Sequence, residues 1–225
     1  MTMNEQELGI DVPDRGRVSA LLVKPRGMVA LWVFAHGAGA GMRHANLQAI
    51  AEALCALDVG TLRFQFPYME AGRSRTDRPD VAVATIAAAV DEGRRRARGK
   101  PLFLGGHSFG GRMASLAASQ LDLPIRGLVY CSFPLHQPGK PSASRADHVG
   151  DIRKPMLFLS GERDTMADRK LLGGVVKKLG RSAHLHWLET ADHGYRILKR
   201  TRKNPESVFD EIARTAHAFI EDVIA

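Results

Sequence analysis

GGHSFGG, at residues 105–111, is the stretch from which the rest of the chain is best interpreted. It contains the pattern G-x-S-x-G with Ser108 at its centre. An apolar segment of strand length, Leu102–Leu104, precedes it, and a helix-forming segment, Arg112–Leu116, follows it. A serine in a sharp turn between a strand and a helix is the arrangement called a nucleophile elbow. This context favours a nucleophilic serine over a bystander serine in a glycine-rich turn.

The glycines on either side of Ser108 support the same interpretation. Gly106 and Gly110 carry no side chains, so the predicted strand and helix can approach each other closely. The positive end of the helix dipole then lies beneath the serine and favours negative charge there.

Outward from this stretch, apolar segments of strand length alternate with longer segments of helical periodicity. The run VALWVFA, Val29–Ala35, is continuously apolar, as expected of a strand buried on both faces. The alternation predicts an α/β fold, specifically a mostly parallel sheet of about seven or eight strands with helices on both faces. The other predicted strands are Val18–Val23, Gly60–Phe66, Pro101–Leu104, Gly127–Cys131, Met156–Ser160 and Ala183–Leu188. The predicted helices are Asn46–Leu57, Pro79–Arg98, the segment from the elbow to Gln120, Asp168–Leu179 and Pro205–Ile224.

Length and composition predict one globular domain over residues 1–225. The one long irregular segment, Phe133–Lys154, is too short to be a separate lid domain. Apolar residues make up 44% and charged residues 25% of the chain, which excludes general disorder. Two cysteines, Cys55 and Cys131, are too few for a disulfide scaffold and are expected to be reduced core thiols. We find no secretory signal and no apolar run of membrane-spanning length, so the expected location is the cytoplasm and no membrane partner is predicted.

The net charge of +8 and the pI of about 9.9 raise the question of nucleic-acid binding. Aromatic residues make up only 6% of the chain, and no known nucleic-acid-binding motif is present. Specific nucleic-acid binding is therefore not predicted. The basic residues form three clusters, namely Arg73/Arg75/Arg78, Arg94/Arg95/Arg96/Arg98/Lys100 and Lys199/Arg200/Arg202/Lys203.

A serine hydroxyl needs a base to become a nucleophile, and the base needs an orienting acid. In the chain order Ser…Asp/Glu…His, Asp164 follows the strand Met156–Ser160 and His193 follows the strand Ala183–Leu188. Both fall at strand carboxyl ends, the edge at which open α/β sheets bind ligands. We predict that His193 takes the proton of Ser108 and that Asp164 holds the imidazole in the correct tautomer.

Other residues compete for these two roles. Among the nine histidines, His184 and His186 share one face of a strand, which favours a structural role. His107 is adjacent to the serine, but a neighbouring residue on an elbow points elsewhere. The remaining alternatives are His44 and His217 for the base, and Glu162, Asp168 and Asp192 for the acid.

An oxyanion hole needs two backbone N–H donors. One is expected from Phe109, the residue after the nucleophile, and the other from the loop HGAGAG, residues 36–41, with Ala38 first and Gly39 second. The loop lacks the G-K-[ST] ending of a phosphate loop and the Rossmann spacing. No cysteine or histidine pair with metal-ligand spacing and a third ligand is present, so no metal site is predicted.

Residues with weaker signals complete the predicted site. The irregular segment Phe133–Lys154 is long enough to suggest function, and within it His136 and Lys140 are hypothesised to line the acyl or leaving-group pocket. The alternative is that its prolines only stiffen a surface loop. His36, Gly39 and His107 are further candidate substrate contacts, and the segment FPYM, residues 66–69, is a second candidate wall.

The chain resembles the α/β-hydrolase fold superfamily and, more narrowly, a family of small lidless hydrolases related to dienelactone hydrolases, the testis-expressed-protein-30-like family. The resemblance implies a sheet of about eight strands, no cofactor, and a triad of Ser108, Asp164 and His193. The matching stretches are FAHGAGAGM (34–42), FQFPYM (64–69), GGHSFGGRMAS (105–115), FPLHQPGKP (133–141), LSGERD (159–164) and LHWLETADH (185–193).

Two departures qualify what the resemblance implies. Relatives commonly carry Lys-Ser-Met where this chain has His107-Ser108-Phe109. Dienelactone hydrolases use a cysteine nucleophile, so their lactone substrates are not carried over.

We predict a serine hydrolase acting on small esters or thioesters, with a peptidase or amidase of the same fold as an alternative. Since some eukaryotic relatives are subunits of chromatin-modifying complexes, a non-catalytic interaction module is a further alternative. The sequence carries no signal for the oligomeric state.

Overall fold

The computed structural model of the protein describes residues 4–225, whose backbone forms a single eight-stranded sheet covered by helices. The strands are β1 (Glu5–Val12), β2 (Gly16–Val23), β3 (Ala30–Ala35), β4 (Val59–Phe64), β5 (Leu102–His107), β6 (Gly127–Cys131), β7 (Met156–Gly161) and β8 (Ala183–Leu188). The helices are α1 (Ala45–Cys55), α2 (Pro67–Glu70), α3 (Pro79–Ala97), α4 (Phe109–Gln120), α5 (Arg169–Leu179) and α6 (Val208–Ile224), with short 3₁₀ helices at Ser144–Asp151 and Gly180–Ser182.

The strand order is β1-β2-β4-β3-β5-β6-β7-β8, and every pair from β4 to β8 is parallel. Only β2 runs against its two neighbours, β1 and β4. The predicted α/β fold with a mostly parallel sheet is therefore confirmed. Because the strands from β3 to β8 share one direction, their carboxyl ends, and the loops that follow them, lie along one edge.

The sequence of β3 shows how the sheet receives helices on both faces. Its side chains alternate between two separate cores. Leu31, Val33 and Ala35 belong to the core beneath α3 and α4, whereas Trp32 and Phe34 belong to the core beneath α1 and α6. A strand buried on both faces has no polar alternation, which is why VALWVFA is continuously apolar.

One strand and one α-helix were not predicted. Strand β1 reads EQELGIDV and has no apolar run, since it is an edge strand that keeps several side chains in water while pairing with β2. Helix α2 has only four residues, too few for a periodic pattern.

The segment between β6 and β7 contains no lid domain. Its ordered element is the 3₁₀ helix Ser144–Asp151, which packs against α4. The predicted absence of a separate lid is thus confirmed for the residues described. Within residues 4–225, no helix is both long enough and apolar enough to cross a membrane.

Candidate active site

Ser108 lies in the turn between β5 and α4. Its backbone is in the positive-φ region, with φ 51° and ψ −115°, a conformation that costs free energy for a residue with a Cβ. The turn is held by the Ser108 N–H, which donates to the carbonyl of Cys131 at 2.9 Å. The sequence prediction of a strained turn at this serine is matched by the backbone angles.

Close packing around the turn requires the two flanking glycines. A Cβ on Gly106 would lie 2.5 Å from the carbonyl oxygen of Ala35, and a Cβ on Gly110 would lie 2.5 Å from that of His36. Both contacts are with backbone atoms, which cannot move aside as a flexible side chain can. The glycines therefore let β5 and α4 pack directly against the end of β3.

The structure brings Ser108, His193 and Asp164 together from three different strand ends. His193 Nε2 lies 2.9 Å from Ser108 Oγ. His193 Nδ1 lies 2.9 Å from Asp164 Oδ1 and 2.8 Å from Asp164 Oδ2. The Asp164 side chain is fully buried, the His193 side chain is 22% exposed, and Ser108 is 9% exposed. This is the geometry expected of a nucleophile, a base and an orienting acid.

The orientation of the Asp164 carboxylate is set by its own loop. The backbone N–H of Met166 donates to Asp164 Oδ1 at 2.8 Å, while Oδ2 is directed at the imidazole. Since a carboxylate only accepts, His193 Nδ1 must carry the proton and Nε2 must be the acceptor that faces Ser108. The resulting tautomer is the one that can take the serine proton.

The loop that carries His193 is held by three further hydrogen bonds. Asp192 Oδ1 accepts the backbone N–H groups of Gly194 and Arg196, each at 2.9 Å. From the elbow, His107 Nε2 lies 3.1 Å from the His193 carbonyl oxygen and donates to it. His107, a candidate substrate contact from the sequence, thus holds the loop of His193 against the turn of Ser108. Burial, followed by the nearby charge of His193, lowers the pKa of His107 to about 4.

The glycine-rich loop after β3 lies against the elbow. The Gly39 N–H donates to the hydroxyl of Tyr68 at 3.1 Å, and the Ala40 N–H donates to the Gly37 carbonyl at 3.2 Å. Within residues 4–225, neither Ala38 N–H nor Phe109 N–H has a hydrogen-bond acceptor. The two backbone donors that the sequence ranked first are therefore unoccupied, whereas the second choice for the loop, Gly39, is engaged by Tyr68.

His36, which was predicted to contact the substrate, has a structural role instead. It is fully buried, and both ring nitrogens bond to backbone groups. Nδ1 donates to the Gly37 carbonyl at 2.7 Å, and Nε2 accepts the N–H of Phe66 at 3.1 Å. Because no ring nitrogen is left for a ligand, the prediction of His36 as a substrate contact is corrected: His36 ties the glycine-rich loop to the FPYM segment.

His136 requires the same correction. It is 6% exposed, and its Nδ1 donates to the Gln137 carbonyl at 2.9 Å while its Nε2 accepts the N–H of Asp168 at 3.1 Å. The backbone N–H groups of Leu135 and His136 both donate to the carbonyl of Met166. The segment after β6 therefore braces the loop that follows Asp164 rather than presenting the His136 ring to a substrate. Lys140 lies on the exposed part of this segment.

An aromatic cluster of Phe109, Phe66 and Tyr68 borders Ser108 on the side of β4, with only Phe109 partly exposed. Phe109, partly exposed, meets the ring of Phe66 edge to face with centroids 5.3 Å apart, and the ring of Tyr68 with centroids 6.4 Å apart. Edge-to-face packing of this kind adds to the free energy gained by burying the rings. Sequence reasoning placed FPYM near the site but gave no role to the Tyr68 hydroxyl.

The competing residues are engaged elsewhere. His44 caps α1, His186 pairs with Glu211, and Asp168 caps α5 through the N–H groups of Lys170 and Leu171. Glu162 accepts the Thr190 N–H and pairs with Arg169. Within the described part of the chain, no group of three or more His, Cys, Asp or Glu side chains could hold a metal ion.

The buried histidines predict a specific pH dependence of stability. Burial lowers the pKa of His36 from 6.5 to about 4, with a smaller lowering by the charge of His44. Since the unfolded chain binds a proton near pH 6.5 and the folded chain only near pH 4, the free energy of unfolding is expected to fall as the pH drops from 6.5 to 4. The expected slope is about 1.4 kcal/mol per pH unit for each such histidine.

Urea denaturation between pH 7.5 and pH 4 measures this effect. We expect His36→Gln and His107→Gln each to make the free energy of unfolding less dependent on pH. The decrease in slope should correspond to about one proton fewer taken up on unfolding. A free energy of unfolding that does not change from pH 6.5 to pH 4.5 would contradict the assignment of neutral, buried rings.

Comparison with known proteins agrees with the fold. Residues 28–221 match the family described as the alpha/beta hydrolase domain. Among solved structures, a dienelactone hydrolase from Anabaena variabilis is 17% identical with a TM-score of 0.76, over 99% of both chains. A lidless α/β serine hydrolase from Xanthomonas campestris is 19% identical with a TM-score of 0.76, over 100% of this chain and 98% of that one. Est1E from Butyrivibrio proteoclasticus, in a structure with ferulic acid bound, is 19% identical with a TM-score of 0.75, over 96% of this chain and 99% of that one.

The fold and the serine turn define the class as an α/β hydrolase. Because the family match spans most of the chain, the protein belongs to the alpha/beta hydrolase family. The superfamily resemblance drawn from the sequence motifs is confirmed at this level.

Proposed function

We propose that the protein is a serine hydrolase that cleaves small esters or thioesters through an acyl-enzyme intermediate. The observation that carries the proposal is the continuous hydrogen-bonded series from Ser108 Oγ through His193 to Asp164, with all three distances between 2.8 and 2.9 Å. A serine that had no chemical role would not need a strained backbone and a histidine aligned on its oxygen.

The proposed first half-reaction follows from this alignment. Ser108 Oγ attacks the carbonyl carbon of the ester while its proton passes to His193 Nε2. The oxyanion that forms accepts hydrogen bonds from the N–H groups of Phe109 and Ala38, and the dipole of α4 favours its charge. His193 then gives the proton to the departing alcohol or thiol, which leaves the acyl group on Ser108.

The second half-reaction repeats these roles with water. His193 Nε2 takes a proton from water, and the remaining hydroxide attacks the acyl carbon. Collapse of the second oxyanion returns the proton to Ser108 Oγ and releases the carboxylic acid. Throughout, Asp164 stays ionised and stabilises the imidazolium of His193.

The open surroundings of the site support small substrates. The residues described include no lid domain, and the partly exposed ring of Phe109, packed on the buried Phe66, provides an apolar wall beside the serine. Est1E, which has a similar fold, holds the aromatic acid ferulic acid in its solved structure. We therefore propose that the acyl side accepts short or aromatic groups and that no cofactor is required.

A panel of chromogenic substrates tests this function. We expect p-nitrophenyl acetate, butyrate and cinnamate to be hydrolysed, with a thioester of the same acyl group cleaved at a comparable rate. The matched p-nitroanilides are expected to react at least about 100-fold more slowly, since the poorer leaving group demands more of the site. Faster turnover of anilides than of esters would instead support the peptidase or amidase alternative.

A further inference from the structure

Two half-buried arginines near the nucleophile have no acidic partner. Arg112 on α4 and Arg145 on the 3₁₀ helix Ser144–Asp151 are both partly buried. Arg112 Nε is shielded from solvent and has no hydrogen-bond partner. Neither guanidinium forms an ion pair with any carboxylate in residues 4–225. By contrast, the buried guanidinium groups of Arg63 and Arg202 pair with Glu5 and Glu211.

The packing of the two helices places both arginines at one interface. Ser115 Oγ lies 2.7 Å from His148 Nε2, which joins α4 to the 3₁₀ helix. Arg112 precedes Ser115 by three residues, so the two share a face of α4. Arg145 precedes His148 by three residues, and residues so spaced in a 3₁₀ helix are eclipsed.

The electrostatics of this interface agree with its geometry. Burial, and then the charge of Arg145, lower the pKa of the Arg112 guanidinium. Burial, and then the charge of Arg112, lower the pKa of His148. The acidic neighbours, Asp147 and Asp151, are exposed and form no ion pair with either arginine. Two partly desolvated cations side by side are unfavourable unless an anion joins them.

Arg112 is on α4, the helix that begins directly after Ser108, which places the arginine pair beside the turn that carries the proposed nucleophile. The Arg112 backbone N–H donates to the carbonyl of Ser108 at 3.0 Å, so Arg112 lies one helical turn from the nucleophile. A guanidinium binds carboxylate or phosphate oxygens through two parallel hydrogen bonds.

We propose that Arg112 and Arg145 form an anion subsite, that a substrate held by Ser108 places an anionic group against this pair, and that the natural substrate is an ester or thioester carrying a carboxylate or phosphate group. This inference rests on the proposed function and specifies its substrate class. The subsite acts in binding, so its loss is expected to raise KM for anionic substrates more than it lowers kcat.

Matched esters test the subsite. p-Nitrophenyl butyrate and p-nitrophenyl hemisuccinate have acyl chains of equal carbon number that differ by a terminal carboxylate, and a third ester ends in a phosphonate. We expect kcat/KM of the wild-type protein to be at least about tenfold higher for one of the anionic esters than for butyrate. Whichever anionic ester has the higher kcat/KM shows whether the subsite prefers a carboxylate or a phosphate group.

Variants assign the preference to these residues. Arg112→Gln is expected to bring the anionic and neutral esters to near-equal kcat/KM through a rise in KM, with butyrate changed less than about twofold. If Arg112→Gln does not fold, Arg145→Gln replaces it in the test. It is expected to cause the same loss of preference for the anionic esters. Arg126→Gln removes the same charge from an exposed position and is expected to preserve the preference.

The outcomes separate this proposal from the one on which it rests. Butyrate turnover without an anionic preference, or a preference that survives both variants, would overturn the subsite alone. If the wild-type protein hydrolyses none of the esters, the proposed function fails. Thermal unfolding with succinate or inorganic phosphate at constant ionic strength then tests whether the arginine pair binds an anion. A Tm increase seen in the wild-type protein and lost in Arg112→Gln supports the subsite, and equal Tm changes overturn it.

Discussion

Replacement of Ser108 by alanine is expected to lower kcat for p-nitrophenyl butyrate by at least about 10⁴-fold. The substitution removes only Oγ, the atom 2.9 Å from His193 Nε2. Any remaining rate would come from direct attack by water on an ester whose carbonyl oxygen is bound by the proposed oxyanion donors. The fold is expected to persist, because alanine has the same Cβ in the same positive-φ turn.

The matched control for this variant is Ser119→Ala on the same helix. Ser119 Oγ donates to the carbonyl of Leu116 and has no histidine partner. Kinetics within about twofold of the wild-type protein are expected for it, since the substitution removes only a hydroxyl that bonds within its own helix. Substantial esterase activity in folded Ser108→Ala would exclude Ser108 as the nucleophile.

Replacement of Asp164 by asparagine is expected to lower kcat by about 10³- to 10⁴-fold. The Met166 N–H continues to require an acceptor at the Oδ1 position, so the asparagine amide oxygen is expected to take that place. The amide NH₂ then faces His193 Nδ1 and requires it to be an acceptor. The imidazole proton moves to Nε2, where it blocks removal of the Ser108 proton.

Asp168→Asn is the matched control for this variant. It removes one negative charge four residues along the same loop, where Asp168 caps α5, and asparagine is also a good helix cap. Activity close to that of the wild-type protein is expected. If Asp164→Asn retained full activity, the orienting role of Asp164 would be refuted, and Asp192 and Glu162 would return as candidates.

Features that follow from local rules could be predicted from the sequence. The continuous apolar run of β3 and the glycines around Ser108 reflect short-range packing, and both lie in the structure where they were expected. Asp164 and His193 could be chosen because parallel strands bring their carboxyl ends to one edge. The catalytic roles of these residues remain predictions.

Features that depend on distant partners could not be predicted. His36 bonds to Phe66 and His136 bonds to Asp168, contacts between residues about 30 positions apart that leave no periodic signal. The sequence therefore gave no means to distinguish these buried histidines from substrate contacts. Strand β1 was missed because it is stabilised by pairing with β2 rather than by an apolar run of its own.

The most direct test of the account is the reaction of the purified protein with a fluorophosphonate, followed by intact mass and peptide mapping. An activated serine nucleophile is expected to take up one phosphonyl group, located on the peptide that contains Ser108. The adduct is expected to be absent in Ser108→Ala and to form much more slowly in Asp164→Asn. A folded wild-type protein that takes up no phosphonyl group at neutral pH, or an adduct that persists in Ser108→Ala, would contradict the account.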